Sequence, residues 1–471
     1  MTLGILLCGV ILAAGILANK LSAKIGVPSL LFFIAFGIVM GEDGIFKIPF
    51  DNYVLTGDIC SIALIFIMFY GGFGTNWNAA KPVALQAILL SFVGTILTAF
   101  FTGLFCYYAL KMDFYEALLT GAVISSTDAA SVFAILRSKK LNLKHGLASM
   151  LEIESGSNDP AAYMLTMIIL SLMTAQQSTS PAYLVFAQIV YGLLCGFAIA
   201  FGAIFVLKRA KFGSDGLYAI FMVAIALVSY ALPTLAGGNG YLSVYITGIF
   251  LGNAKLRRKI ELVHFFDGIT WIMQIILFFV IGLLSFPSKI PDILLPAVAI
   301  ALFLTFVSRP VAVTAILSCF KTPIRQQVLV AWSGLRGAAS IVFAIMAVAG
   351  GAYTNSDIFH IVFLVALLSV GFQGTFLPVI AKKLDLVDTT DTVFKTFNDY
   401  ADFSNVQVQD IRITESHPWS GKTLGEISPP SDMLILMVVR DEKSILPKGS
   451  TMLLPGDMLL LSSVDAYENS G

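Results

Sequence analysis

The sequence predicts an all-α polytopic membrane protein that carries a small α+β domain at its C-terminal end. Three observations predict it. Of the 471 residues, 57% are hydrophobic and only 12% are charged, with a mean hydropathy of +0.87; a soluble domain carries about 25% charged residues. Apolar runs long enough to cross about 30 Å of hydrocarbon recur from Leu3 to about Lys382. Basic residues crowd into alternate connections between those runs.

The runs fall near residues 3–22, 28–41, 54–73, 82–109, 114–137, 146–174, 181–208, 216–232, 241–254, 262–285, 291–319, 325–349 and 357–381, about thirteen spans. The second and ninth are short for a span and are expected to tilt or pack among the others. Leu3 to Leu17 has the length of a signal-peptide core, but no basic segment precedes it and Asn19-Lys20 follows, so it reads as the first span. Lys20 and Lys24, Lys81, Arg137 to Lys144, Lys208 to Lys211, Lys255 to Lys259, Lys321 and Arg325, and Lys382-Lys383 occupy one set of connections. The other set carries Lys47, Lys111 and Lys289. Basic loops stay in the cytoplasm, so the N-terminus is expected outside and the C-terminus inside, which requires an odd number of spans.

Composition changes near Leu384. Residues 1–383 read as the transmembrane domain, 384–404 as a polar linker rich in aspartate, and 405–471 as a cytosolic module. In the module, strands are expected over Val406–Thr414, Met433–Arg440, Thr451–Leu454 and Met458–Ser462, with a short helix at Lys422–Ile427. Pro429-Pro430, Pro447-Lys-Gly449 and Pro455-Gly-Asp457 mark turns. A module this small gains stability by pairing with a second copy.

Chemistry concentrates where a membrane segment should have none. Thr127-Asp128 follows Ser125-Ser126 in one apolar run; Glu154-Ser155-Gly156-Ser157-Asn158-Asp159-Pro160 lies in the next; Arg336 sits in Ser333-Gly-Leu-Arg-Gly337 of a third. A charge near the bilayer centre costs roughly 2.5–3.5 kcal/mol on insertion scales, so such residues mark an ion or proton route. On a helix, Ser155 and Asp159 share a face and Glu154 and Asn158 share the next one. Pro160 frees the carbonyl of Gly156. Carboxylate, hydroxyl and loose carbonyl within one turn are what a dehydrated alkali cation needs. The hydroxyl run at 125–127 competes for backbone hydrogen bonds and favours a helix break there. Ser333–Gly337 interrupts its span comparably, and two interrupted spans in corresponding halves point to an inverted repeat. Glu154 reads as the ion-pair partner of Arg336. Asp128 reads equally as cation ligand or structural acid. Arg309, in Ser308-Arg-Pro310, reads equally as structural, snorkelling or functional, and Asp267 as a capping or interfacial acid.

At these residues the chain resembles the monovalent cation:proton antiporter family, in its electroneutral Asn-Asp branch. Glu154-Ser155 with Asn158-Asp159, Gly334-Leu-Arg-Gly-Ala338 and Thr127-Asp128 carry the resemblance across the membrane region. It implies a thirteen-span homodimer with two crossed, broken helices. It implies that Asp159 binds cation or proton, with Asn158, Ser155, Thr127 and Asp128 around it, and that Glu154 pairs with Arg336. Tyr70 stands where some sodium-selective relatives have an acid, and Ala129 where a proline is common. Ser416 to Leu461 resembles the C-terminal half of a regulator-of-potassium-conductance module, without the Gly-rich nucleotide fold that would precede it. Together these resemble bacterial potassium/proton antiporters of the plasma membrane. The implied activity is electroneutral K+/H+ exchange by an elevator-type motion, with Na+/H+ exchange as the alternative. No cofactor is implied, apart from a candidate nucleotide-type regulator of the C-terminal module.

Other classes fit less well. Zero formal net charge gives no handle on nucleic acid. His145, His264, His360 and His417 are scattered, and no nucleophile motif stands out. The five cysteines show no pairing or metal spacing. A ligand-gated potassium channel would need a filter resembling Thr-Val-Gly-Tyr-Gly, which the chain lacks, and a cation-coupled solute symporter would need an organic substrate.

Overall fold

In an apolar medium every backbone polar group must be satisfied from within, and the chain answers with helices. The computed structural model describes residues 2–25, 28–139, 141–174, 180–209, 215–256, 259–352, 354–388, 407–415, 417–427, 433–440 and 443–463. The chain divides into two compact units, Met1–Asn398 and Asp399–Gly471.

The first unit is helical: α1 (Thr2–Ile25), α2 (Ser29–Met40), α3 (Tyr53–Gly74), α4 (Trp77–Ala80), α5 (Ala84–Leu89), α6 (Thr95–Ala109), α7 (Phe114–Ile124), α8 (Ala129–Ser138), α9 (Leu147–Thr174), α10 (Pro181–Arg209), α11 (Asp215–Leu235), α12 (Gly240–Asn253), α13 (Lys259–Leu284), α14 (Ile290–Phe303), α15 (Arg309–Leu317), α16 (Ile324–Trp332), α17 (Ala338–Ala349), α18 (Ile358–Leu368) and α19 (Gly374–Lys383). Each run expected to span is helical, two of them with a break inside. Among the described residues, eight helical segments are long and apolar enough to cross a membrane by length and composition, and α2 and α17 are among the shorter apolar ones. Wide π-helical turns at Leu90–Gly94, Leu304–Ser308 and Ser369–Gln373 join α5 to α6, α14 to α15 and α18 to α19. Outward faces carry large apolar side chains such as Ile16, Phe201 and Leu295, as lipid contact requires.

Asparagine and aspartate side chains cap the free N–H groups at helix starts. Asn52 accepts from Leu55 N–H at 2.9 Å and Asn239 from Leu242 N–H at 3.0 Å. Small residues let helix axes approach. A Cβ on Gly248 would stand 2.5 Å from the carbonyl of Phe69, which locks α12 onto α3, and one on Gly37 would stand 2.2 Å from that of Phe279, which locks α2 onto α13. Gly121 does the same for α7 on α6, 2.2 Å from the carbonyl of Ala99.

The expected linker begins later than its polarity suggests. Leu386 is buried, and the short strand β2 (Val387–Asp388) pairs antiparallel with β1 (Asn142–Leu143) in the loop after α8. The rest of that linker lies outside the described residues.

The second unit is a four-stranded antiparallel sheet of β3 (Gln407–Arg412), β4 (Met433–Arg440), β5 (Lys443–Ile445) and β6 (Met458–Ser463), in the order β3-β6-β4-β5. Ile411, Ile413, Val438, Leu459 and Leu461 form its core with Leu453 and Ile427. The helix expected at Lys422–Ile427 is a turn, because Thr423 bridges to Met452 and the N–H groups of Leu424 and Gly425 reach the carbonyls of Thr451 and Gly449. Thr451–Leu454 contributes that single bridge rather than a strand. Arg440 holds the fold's long loop: its Nε and Nη2 donate to the Asp457 carboxylate at 2.7 and 2.8 Å, and Nη2 donates also to the Met452 carbonyl.

Arg440 and the Leu454 N–H hold the Asp457 carboxyl below the usual carboxylate range. A depressed folded value gives stability that is complete above the unfolded pKa of about 3.9 and is lost as pH falls through the folded one. Hydrogen-exchange protection of β4 and β6, corrected for intrinsic rates, should therefore drop between pH 5 and pH 2. Asp457→Asn should already show reduced protection at pH 7 and a flatter pH response.

Candidate functional site

Two helices break and cross at the centre of the first unit. Residues 125–128 separate α7 from α8, and residues 333–337 separate α16 from α17. The breaks touch through backbone: Asp128 N–H donates to the Leu335 carbonyl at 2.7 Å. A Cβ on Gly337 would lie 2.3 Å from Asp128 Oδ2, so the crossing tolerates no side chain there.

Broken helices leave orphan donors at one end and orphan acceptors at the other. Asp128 takes the donors of α8. Its Oδ1 accepts from the N–H groups of Ala130 and Ser131 at 2.9 and 3.3 Å, and its Oδ2 accepts the Ser131 hydroxyl. Arg336 takes the acceptors of α7. Its Nη1 donates to the carbonyls of Ile124, Ser125 and Ser126 at 2.9, 2.7 and 2.8 Å. An acid at a helix N-terminus and a base at a C-terminus both complement the helix dipole.

The third helix of the site is α9, which stays helical through Pro160. Ser155 ties it to the first break, donating to the Thr127 carbonyl at 2.7 Å and accepting from Ala129 N–H at 2.8 Å. The Asn158 amide donates to the Thr127 hydroxyl at 2.5 Å, and its oxygen has no hydrogen-bond partner among the described residues. Asp159 accepts the hydroxyl of Ser126. Asp159 therefore meets Ser126, while Ser155 is committed to the backbone of the break.

Glu154 pairs with Arg309, not with Arg336. Arg309 Nη2 lies 2.6 Å from Glu154 Oε1, and both side chains are buried. Arg336 is drawn to three carbonyls, which leaves Glu154 to the next arginine on α15. The π-turn Leu304–Ser308 precedes Arg309 directly. The other two π-turns also border this centre: Ser91 donates to the Glu154 carbonyl at 3.0 Å, and Ser369 accepts from Arg336 N–H at 3.1 Å. Such wide turns recur at functional sites. Asp267 lies inside α13, within 3.4 Å of the Tyr70 hydroxyl, rather than at a helix end.

Accessibility follows one line. Along α9 from Leu147 to Met164, only Glu152, Gly156 and Asp159 escape burial. Spacings of four and three put them on one stripe. The stripe ends at Tyr163, which packs edge-on against Tyr241 at 4.9 Å and lies 5.8 Å from Phe343. The partly exposed residues of α9 thus run in one line from Glu152 to Asp159 and stop at aromatic rings.

Comparison with known proteins gives the family and the fold. The family described as "Sodium/hydrogen exchanger, transmembrane" matches residues 7–383, and the family "TrkA-C domain" matches residues 408–465. The chain belongs to the sodium/hydrogen exchanger family. It is 34% identical to the K(+)/H(+) antiporter NhaP of Alkalimonas amylolytica over 466 residues, covering 98% of this chain and 81% of that protein. It is 33% identical to the K(+)/H(+) antiporter NhaP2 of Shewanella baltica, covering 97% and 81%. Its fold is similar to the solved structure of the sodium proton antiporter MjNhaP1 from Methanocaldococcus jannaschii, with TM-score 0.71 and 23% identity over 81% of this chain and 99% of that one. As a member of the sodium/hydrogen exchanger family, the chain is a membrane transporter.

The sequence reading missed Arg309 as Glu154's partner and Ser126 as Asp159's. Both residues were in view, but sequence alone does not order two arginines or three neighbouring hydroxyls in space. Removing one member of a buried pair costs roughly 3–5 kcal/mol. Glu154→Gln should therefore lower the melting temperature of the purified protein markedly, and the double change with Arg309→Gln should recover much of the loss. An unaltered melt for the single variant would contradict the pairing. Arg336→Ala should leave the Glu154 pair intact.

Proposed function

We propose that the protein is a secondary active transporter that moves potassium out of a bacterial cell across the plasma membrane in exchange for a proton, one for one. The observation that carries this reading is the state of the acids. Glu154 is paired, Asp128 is capped by a helix terminus, and among the described residues Asp159 has one hydroxyl as its partner, at the end of the partly exposed stripe. Asp159 is the carboxylate left to change partners. It holds a proton or a cation, never both, and Asn158 beside it cannot ionise. Because each ligand brings one positive charge, exchange moves no net charge.

Asp159, the free oxygen of Asn158, and the hydroxyls of Ser126 and Thr127 seat the cation, with Ser155 holding Thr127 in place. Asp128 and Arg336 keep the crossing assembled. The helices around the crossing move as a body against the glycine-locked α2–α13 and α3–α12 pairs in an elevator-type cycle. Motion follows only when Asp159 is neutralised, which couples the two ions. The loop charges support an N-terminus outside and a cytoplasmic C-terminus. The family resemblance supports a homodimer in lipid, and the TrkA-C unit supports regulation by a small molecule of nucleotide type. Potassium is preferred because relatives 34% and 33% identical to this chain bear that name.

Purified protein in liposomes with a pH-sensitive dye tests the reading. Potassium should drive pH exchange, sodium and lithium less so. Asp159→Asn should abolish it, by at least two orders of magnitude, without changing the melting temperature. Retained exchange in that variant would refute the assignment, and a sodium preference would replace potassium with its alternative.

A further inference from the structure

Gly156 occupies the middle of the accessible stripe on α9, between Glu152 and Asp159. What fills the place of its missing side chain is Tyr245 of α12. A Cβ on Gly156 would lie 2.5 Å from the Tyr245 hydroxyl oxygen and 2.6 Å from the ring carbon that bears it. The hydroxyl therefore stands on the stripe itself. Tyr245 is 3% exposed, and its hydroxyl oxygen has no hydrogen-bond partner among the described residues. Buried tyrosine hydroxyls normally find one. The side chains of Ser157 and Thr75 are its polar neighbours, without the geometry of a hydrogen bond.

The position of this hydroxyl is fixed from behind. A Cβ on Gly72 would meet the carbonyl of Tyr245 at 2.5 Å, so α12 is held against α3 at this residue. At Gly156, in turn, a side chain of α12 meets the backbone of α9.

We propose that the Tyr245 hydroxyl is a positioning ligand on the ion route, which takes hold of the dehydrating cation between Glu152 and Asp159. A neutral oxygen suits that post, because a carboxylate there would trap the ion and compete with Asp159. Glycine at 156 is needed so that the hydroxyl reaches the stripe. The proposal rests on the exchange reading of Asp159 given above.

Tyr245→Phe removes the one oxygen and keeps the ring. The half-saturating potassium concentration for exchange in liposomes should rise roughly three- to tenfold, the worth of about one hydrogen-bond-sized contact. The maximal rate and melting temperature should stay near wild type, which a purely structural role would not produce. Gly156→Ala, which drives a methyl group into the hydroxyl's place, should raise the half-saturating concentration and also lower the maximal rate. Potassium concentrations that half-maximally raise the melting temperature should shift in parallel for Tyr245→Phe. An unchanged half-saturating concentration in both readouts overturns the proposal. If wild-type protein shows no exchange while the melting shift still depends on Tyr245, the exchange reading falls and the ligand role stands.

Discussion

Three carbonyls held by one guanidinium make the site. Breaking a helix inside an apolar medium strands backbone acceptors that no water satisfies, and each costs several kcal/mol. Arg336 answers for Ile124, Ser125 and Ser126 at once. With those carbonyls fixed, Ser126 is aimed at Asp159, Thr127 meets Asn158 and Ser155, and Asp128 falls at the first turn of α8.

The same economy sorts the charges. Glu154 and Arg309 neutralise each other in a buried pair. Asp128 and Arg336 each complete a helix terminus at the same crossing. Among the described residues Asp159 receives one hydroxyl, and it stands at the end of the partly exposed stripe. Arg336 and Arg309 are each committed to fixed partners, whereas Asp159 has a single hydroxyl among the described residues; on the proposed reading, that difference is what lets this carboxylate exchange its partner with solution.

Much of this was legible in the sequence. Acids inside apolar runs pointed to the candidate site, the Ser-Ser-Thr and Ser-Gly-Leu-Arg-Gly runs located both breaks, and the long apolar runs located the helices. Other features were hidden for physical reasons. Arg309 and Arg336 lie in similar apolar settings, and only the crossing geometry assigns Arg336 to carbonyls and Arg309 to Glu154. The π-turns at Leu90, Leu304 and Ser369 come from how neighbouring helices pack, which leaves no local composition signal. Tyr245 is one aromatic among many until Gly156 is placed opposite it. Near Lys422 a helical pattern lost to a turn because the cross-link of Thr423 to Met452 outweighs one turn of helix propensity.

The most direct measurement is proton release. Purified protein in weakly buffered detergent, near neutral pH, receives potassium chloride while the solution pH is followed. One carboxylate serving both ions requires about one proton to leave for each potassium bound, and none in Asp159→Asn. Potassium binding without proton release would contradict the central claim.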